Sequence, residues 1–486
     1  MYLSKSKYCL GVQCNKILWL DVHHPEEREE INNTSVLENG TQVGELAKNL
    51  FGFHIDINFS ENLKEMISDT EKLLKLDKVI ITEASFVYEN NFCSVDILKK
   101  DGDNYEIYEV KSSTHVNPIY LDDISYQAYV LLNLGYNVTK CSIVHINSNY
   151  VRKGKLELDK LFKIVDVTDI VLSKQNSVKT KIKDINKYID NPTEKDELGL
   201  HCIKPYNCPY FKYCTGNLKE NNVFNLKSLR KSKKFDLYKA GFITFEDLLK
   251  SNIEDKYKKQ LEIELGLKDE YIDKNKIKEF LNTLSYPLYF LDFETFEESI
   301  PSYDNTYPYM QIPFQYSLHY IEEENGSLLH KEFLAEPGID PRRSLAEALI
   351  KDIPMNVCIL AYNMSFEKTV IKNLANIFPD LSKHLMNIHD NIKDLMIPFK
   401  NDYYTKNRLG SYSIKYVLPS LFPNDTSLNY KNLEMVHNGG EASNLYASMK
   451  NMSKEKQEIL KNNLLKYCKL DTYAMVKILE KLKEIT

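Results

Sequence analysis

The segment Leu288-Tyr-Phe-Leu-Asp292-Phe-Glu294-Thr constrains this chain more than any other. Its apolar run predicts a buried strand from Leu288 to Phe293, and acids at i and i+2 then point to one face at the strand end. Burying two like charges side by side is costly by several kcal/mol unless a cation accompanies them. Further along, Val357 to Ala361 predicts a second buried strand. It is followed by Asn363, Phe366 and Glu367. Leu460 to Ile485 predicts a long terminal helix, on which Tyr467 and Asp471, four residues apart, share a face.

These acids lie in the last of three expected regions. Residues 1–215 alternate helix, three meandering strands, helix and strand. The strands are expected at Val79 to Phe86, Phe92 to Leu98 and Tyr105 to Val110. Flanking helices are expected at Val43 to Phe51, at Leu63 to Leu76 with Ser60 upstream as a possible cap, and at Ile124 to Leu134. Residues 216–283 are lysine-rich and helical with no strand signal, which predicts a linker domain. Residues 284–486 form a second α/β block.

A second set of chemistry-bearing residues falls in the first region. In Tyr105-Glu-Ile-Tyr-Glu109-Val-Lys111, Glu109 and Lys111 are two apart on a strand and share a face. A hairpin through Asp101-Gly102-Asp103 would bring Asp96 beside Glu109. Two carboxylates can hold a hard divalent cation, and a nearby lysine can position a water. A third set is Cys202, Cys208 and Cys214, three thiols within 13 residues. Clustered thiols in a reducing compartment suggest metal or cluster ligands. Cys14 is the candidate fourth ligand, with Cys9 as the alternative.

Composition narrows the function classes. The chain carries 63 basic and 69 acidic residues, for a net charge of −6, which excludes a globally basic nucleic-acid coat but not a local basic surface. Basic residues concentrate in Asn225 to Lys234, including Lys231, Lys233 and Lys234. The stretch Leu237 to Leu248 that follows resembles half of a helix–hairpin–helix, whose glycine turn could offer N–H groups to phosphate. Tyr303, Tyr307, Tyr309, Phe314 and Tyr316 are candidates for stacking on unpaired bases or for core packing, and Tyr403, Tyr404 and Tyr412, beside Lys406, Arg408 and Lys415, carry the same two readings. No run of 18 apolar residues predicts a membrane helix, the N-terminus lacks a secretory signal pattern, and nine cysteines are too few for a disulfide scaffold. A cytoplasmic protein without a membrane partner is expected. It has no G-x-x-x-x-G-K-[ST] run, so no ATP motor is expected.

Three resemblances attach to these motifs. Asp292-Phe-Glu294, Asn363-(x2)-Phe366-Glu367 and Tyr467-(x3)-Asp471, in that order, resemble the three motifs of DnaQ-type DEDDy exonucleases, with Glu367 where an aspartate is usual. This resemblance implies an RNase H-like domain and a 3′–5′ exonuclease. It also implies two Mg²⁺ or Mn²⁺ ions at the acids and Tyr467 orienting the attacking water. Asn363 and Phe366 are expected near the nucleic acid, and Asp394 is either a further acid near the site or a helix-surface residue. Asp96, Glu109 and Lys111 resemble the D-(x12)-E-x-K pattern of RecB-type PD-(D/E)XK nucleases. Gln127 matches half of that family's Gln-x-x-x-Tyr, with Leu131 in place of the tyrosine. Glu45 stands where the first helix supplies a His or an acid. The cysteine arrangement resembles that of the iron–sulfur members of that group, which implies a [4Fe–4S] cluster on Cys14, Cys202, Cys208 and Cys214, with zinc as the alternative. Finally, Ser4 to Leu20, Leu291 to Phe296 and Gly410 to Pro419 resemble DUF2779, a family named only as a domain of unknown function, and the resemblance covers the whole chain. Together these imply a metal-dependent nuclease that trims single-stranded or end-frayed DNA. An RNA substrate, or an N-terminal domain that binds without cutting, are the alternatives.

Overall fold

A computed structural model describes residues 2–30, 34–192 and 197–486 of the chain. Two compact units emerge. The first comprises Met1–Asn217 with Glu298–Met310, and the second Leu218–Glu297 with Gln311–Thr486. The helical segment that the sequence sets apart at 216–283 thus falls almost wholly into the second unit. Among the described residues, no helix is long and apolar enough to cross a membrane.

The first unit is built on a seven-stranded mixed sheet. Its strands are β1 (Leu3–Ser4), β2 (Ile55–Asp56), β3 (Lys78–Tyr88), β4 (Asn91–Asp101), β5 (Asn104–Lys111), β6 (Asn137–Ile146) and β7 (Phe162–Asp166). They lie in the order β2-β3-β4-β5-β6-β7, with β1 pairing in parallel with the start of β4. Strands β3, β4 and β5 form the expected meander. The β4–β5 turn closes at Asp101↔Asn104, where Gly102 adopts φ +60°, a left-handed conformation that glycine accepts without a Cβ penalty. The helix Pro118–Asn133 crosses from β5 to β6, which run parallel. It is buried along most of its length in one core with Ile81, Val95, Ile107 and Ile143. The helix Leu63–Leu73 is capped by Asn62, whose side chain accepts from Lys64 N, rather than by Ser60.

The second unit carries a five-stranded sheet. Its members are β9 (Leu288–Phe296), β10 (Ile312–Ile321), β11 (Leu329–Leu334), β12 (Cys358–Ala361) and β13 (Ile392–Asp394), in the order β11-β10-β9-β12-β13. The first three are antiparallel neighbours, and β9, β12 and β13 run parallel. The helix Lys454–Glu484 starts six residues earlier than its apolar pattern suggests. Ser453 caps it through Lys456 N, and its first turn is mostly exposed, which hides it from a hydrophobic-periodicity reading. Two short strands, β8 (Glu270–Ile272) and β14 (Tyr403–Thr405), pair as a separate ribbon. The strand at 270–272 corrects the expectation of an all-helical 216–283. Three residues are too few to give an alternating signal, and their pairing partner lies more than 130 positions away in sequence.

Residues 216–283 are tied into the second unit by polar contacts. Gln260 Nε2 donates to Tyr412 Oη at 2.9 Å, and Lys227 N donates to Leu409 O at 2.6 Å. Gly410, at φ +78°, leaves no room for a Cβ, which would collide with Ser228 Oγ. Arg408 is fully buried and donates to the carbonyls of Tyr403, Phe399 and Ser411, and Tyr404 Oη donates to Glu264. Arg408, Tyr403 and Tyr404 therefore serve packing here. Phe314 and Tyr316 are buried too, and Tyr309 Oη donates to Ser112 O, whereas Tyr307 is exposed.

Candidate functional site

The acids of β9 and the terminal helix meet. One carboxylate oxygen from each of Asp292, Glu294 and Asp471 lies within 4.8 Å of the others. Among the described residues, no other group of three metal-ligating side chains comes as close. Strand register explains the convergence. Asp292 faces Ser317 and Glu294 faces Gln315 across β9–β10. Gln315 Nε2 donates to Leu464 O at 2.9 Å, and Ser317 Oγ and His319 Nδ1 each lie 2.7 Å from Thr472 Oγ1. These buried bonds bracket residues 467 and 471 and hold that stretch of helix against the acids.

Lys415 partly offsets the crowding at Glu294 and Asp471, but burial and mutual repulsion prevail in this cluster. Burial, and then the Asp471, Glu294 and Glu367 carboxylates, push Asp292 well above the usual carboxylate range. Burial and Asp471 raise Glu294 to about 8, and burial raises Asp471 to about 6. Glu367, in the first turn of the helix Ser365–Ile377, is raised to about 8 by burial and by Asp394. It lies outside the tight group of three, and its Oε2 has no hydrogen-bond partner among the described residues. Glu294 Oε2 also lies 3.3 Å from where a Cβ on Gly439 would sit, at the start of the helix Gly439–Met449.

Several residues at this centre carried no local signal. Tyr430 Oη donates to Asp471 Oδ1 at 2.6 Å. Lys415 Nζ donates to His437 O at 2.9 Å and to Tyr467 Oη at 3.4 Å, lying over the Tyr430 and Tyr467 rings. The buried Cys468 thiol approaches Asp292 Oδ2 at 3.8 Å. Asp394 is not a helix-surface residue. It is buried on β13, and its Oδ1 accepts from Asn363 N and Met396 N, each at 2.9 Å. Asn363 is exposed in a left-handed conformation (φ +71°), and Phe366 packs partly buried against the core.

In the first unit, the hairpin brings Asp96 beside Glu109 as its turn implies. Asp96 Oδ2 accepts from Val110 N at 2.8 Å. Lys111 Nζ bridges Glu109 Oε1 (2.5 Å) and Asp123 Oδ2 (2.8 Å), while Gln127 Nε2 donates to Glu109 Oε2 (2.7 Å) and Asp123 Oδ1 (2.9 Å). Asp123 was missed, though it lies four residues before Gln127 on one helix face. Lys5, also missed, donates to Asp96 Oδ1 at 2.8 Å and to Glu109 Oε2 at 3.2 Å. Burial and Glu109 raise Asp96 to about 7. Burial works against the Glu109 carboxylate as well, but Lys111 and Lys5 hold it far below the usual range. Glu45 lines a cavity of about 390 Å³ with Glu83, Lys48 and Asp96, and is exposed and paired with Lys48 at 2.7 Å.

The cysteines come from both ends of the first unit. Cys14 lies at the break between the helices Lys5–Gln13 and Asn15–His23. The neighbouring Gln13 donates Nε2 to His201 O (2.7 Å) and Tyr206 O (2.8 Å), fixing the loop that carries Cys202 and Cys208. The Cys208 thiol is pushed up to about 12, by burial first and then by the sulfurs of Cys14, Cys202 and Cys214. Cys9 instead neighbours Asp123, Lys111 and Glu109. The sulfurs of Cys14, Cys202 and Cys214 thus lie near enough to Cys208 to act on its thiol.

Among the basic candidates, Lys231 and Lys233 are exposed. Lys234 donates to Phe224 O at 2.7 Å, and burial lowers it to about 8, so its ammonium is committed to the protein. The Gly241 turn is also self-contained. Gly241 N donates to Tyr238 O and Phe242 N to Leu237 O, while Thr244 and Asp247 form a capping box at the next helix.

A family model described as a domain of unknown function, DUF2779, matches residues 289–413. The match contains Asp292, Glu294 and Glu367, stops before Asp471, and is narrower than the whole-chain resemblance. The chain is also similar to Uncharacterized protein MG366 of Mycoplasma genitalium, 26% identical over 221 residues, and to its homolog in Mycoplasma pneumoniae, 28% identical over 221 residues. Each match covers 42% of this chain, which spans about a third of the length of these curated relatives (33%).

Proposed function

We propose that the second unit is a metal-dependent 3′–5′ exonuclease acting on single-stranded or frayed DNA ends. The observation that carries this reading is the convergence of one carboxylate oxygen each from Asp292, Glu294 and Asp471 within 4.8 Å. The sheet order supports it. Three antiparallel strands followed by two parallel ones, with Asp292 and Glu294 on the central strand and Asp471 on the terminal helix, suit an RNase H-like fold. The donor set fits Mg²⁺ or Mn²⁺, being all oxygen, crowded enough to hold protons at neutral pH, and flanked by the unpartnered Glu367 Oε2. When bound at Asp292, Glu294 and Asp471, such ions would stabilise the charge that develops on a phosphodiester during in-line displacement. The protein's own part is orientation. Tyr467 Oη is held by Lys415 Nζ and placed beside Asp471, where it can order an attacking water. Tyr430 fixes the Asp471 carboxylate from the other side.

For the first unit, the αβββαβ order and the meeting of Asp96, Glu109, Lys111 and Gln127 support a RecB-like fold. Its acids do not fit a divalent cation as they stand, because protein donors already occupy them, so we assign this unit nucleic-acid binding without cleavage. The gathering of Cys14, Cys202, Cys208 and Cys214 supports a thiolate-bound cluster that ties the unit's two ends together. Iron in anaerobically purified protein, lost in Cys208→Ser, is the expected result, and stoichiometric zinc would contradict the cluster.

The exonuclease reading is tested with 5′-labelled single-stranded DNA and Mn²⁺. Wild type should yield a ladder of shortened labelled products, Glu109→Gln should keep it, and Asp292→Asn should lose it. A ladder that survives Asp292→Asn, or cleavage of matched RNA alone, would contradict the proposal.

A further inference from the structure

The two acid sites solve one electrostatic problem in different ways. In the second unit, Lys415 stands back from the acids and spends its hydrogen bonds on His437 O and Tyr467 Oη. In the first unit, Lys5 Nζ lies between the two carboxylates, 2.8 Å from Asp96 Oδ1 and 3.2 Å from Glu109 Oε2. Every carboxylate oxygen of the pair has a protein donor. Asp96 Oδ1 takes Lys5 and Oδ2 takes Val110 N, while Glu109 Oε1 takes Lys111 and Oε2 takes Gln127 and Lys5. No equivalent of the orphaned Glu367 oxygen remains on these two acids, so a divalent ion would have to displace an ammonium that is already paired twice.

Lys5 is held in place by its surroundings. Leu3 and Ser4 pair with Asn91 and Phe92 at the start of β4. Ser4 caps the helix that Lys5 begins, Tyr126 Oη donates to Leu3 O, and Tyr8 stacks on Tyr126 with ring centroids 4.6 Å apart. A cation in the first turn opposes the helix dipole, so this placement is unfavourable for the helix by itself and is offset by the acids it meets. Asp123, bridged to Glu109 through Lys111 and Gln127, completes a cluster of three carboxylates and two ammonium groups that approaches charge balance without any ion.

We propose that Lys5 is the resident cation of the N-terminal acid site, standing between Asp96 and Glu109 where a nuclease of the resembled type would hold a divalent ion, so that this site takes up neither Mn²⁺ nor Mg²⁺. The proposal rests on the RecB-like reading only for the identity of the acid pair. The test counts bound Mn²⁺ on the full-length chain by electron paramagnetic resonance, so it does not depend on any cleavage assay. The background is Asp292→Asn/Asp471→Asn, which removes the C-terminal acids. With Lys5 intact, this chain should bind no Mn²⁺ at micromolar concentration. Adding Lys5→Met should create one Mn²⁺ site per chain, which Glu109→Gln then abolishes, whereas Lys5→Arg, which keeps the charge, should create none. Mn²⁺ bound in the Lys5-containing background and lost on Glu109→Gln would overturn the proposal, as would a folded Lys5→Met chain that gains no site. Should Lys5→Met fail to fold by circular dichroism, the Lys5-containing background still decides the matter.

Discussion

Asp292→Asn and Asp471→Asn should each slow nucleotide release by about 10³-fold or more at saturating Mn²⁺, a loss of about 4 kcal/mol of transition-state stabilisation. Both carboxylates belong to the tight group of three, so each substitution removes one of its charged ligands. Glu367→Gln should be milder, about 10- to 100-fold, because Glu367 stands outside that group. Tyr467→Phe should cost about 10²-fold while leaving Mn²⁺ binding intact, since the hydroxyl is assigned to water and not to the ion. Single-turnover rates, with circular dichroism as a control for folding, check this ranking. An Asp292→Asn rate within tenfold of wild type would remove the acids from the reaction.

The same acids should make the ion-free protein less stable as the pH rises. Glu294 and Glu367 are raised to about 8 and Asp471 to about 6 in the folded chain, each by burial first. In the unfolded chain such groups release their protons near pH 4. Between about pH 4 and pH 8 the folded state therefore binds more protons, and stability falls as the pH rises through that window. Discounting for the coupling among the acids, the loss is about 3 kcal/mol, or roughly 5–10 °C in melting temperature. Mn²⁺, which binds the ionised form, should restore most of this at pH 8 and little at pH 5. Asp292→Asn removes one of the repelling charges, so at pH 8 without ions it should melt above wild type and respond weakly to Mn²⁺. Thermal melts at the two pH values measure both effects. An ion-free wild type as stable at pH 8 as at pH 5 would mean that the cluster is not strained.

What the sequence disclosed were features with a local period. The apolar run around Asp292, the four-residue spacing of Tyr467 and Asp471 and the glycine turn between β4 and β5 each place a side chain within a few residues of its signal. Three cysteines within 13 residues announced themselves in the same way. Lys5, Lys415 and Tyr430 had no such signal. They reach their sites through tertiary contacts spanning 91 residues for Lys5 to Asp96, 52 for Lys415 to Tyr467 and 41 for Tyr430 to Asp471. Asp123 was legible in principle through its spacing to Gln127, but an acid on a helix ordinarily faces solvent. The basic stretch at 225–234 misled at Lys234 because charge density says nothing of which ammonium the fold turns inward.

Divalent ions should be held by the acids of the second unit and not by those of the first. Anomalous diffraction from crystals soaked in Mn²⁺ tests it most directly. Peaks among Asp292, Glu294 and Asp471, with none between Asp96 and Glu109, are the predicted result. A peak between Asp96 and Glu109, with none at Asp292, would reverse that assignment.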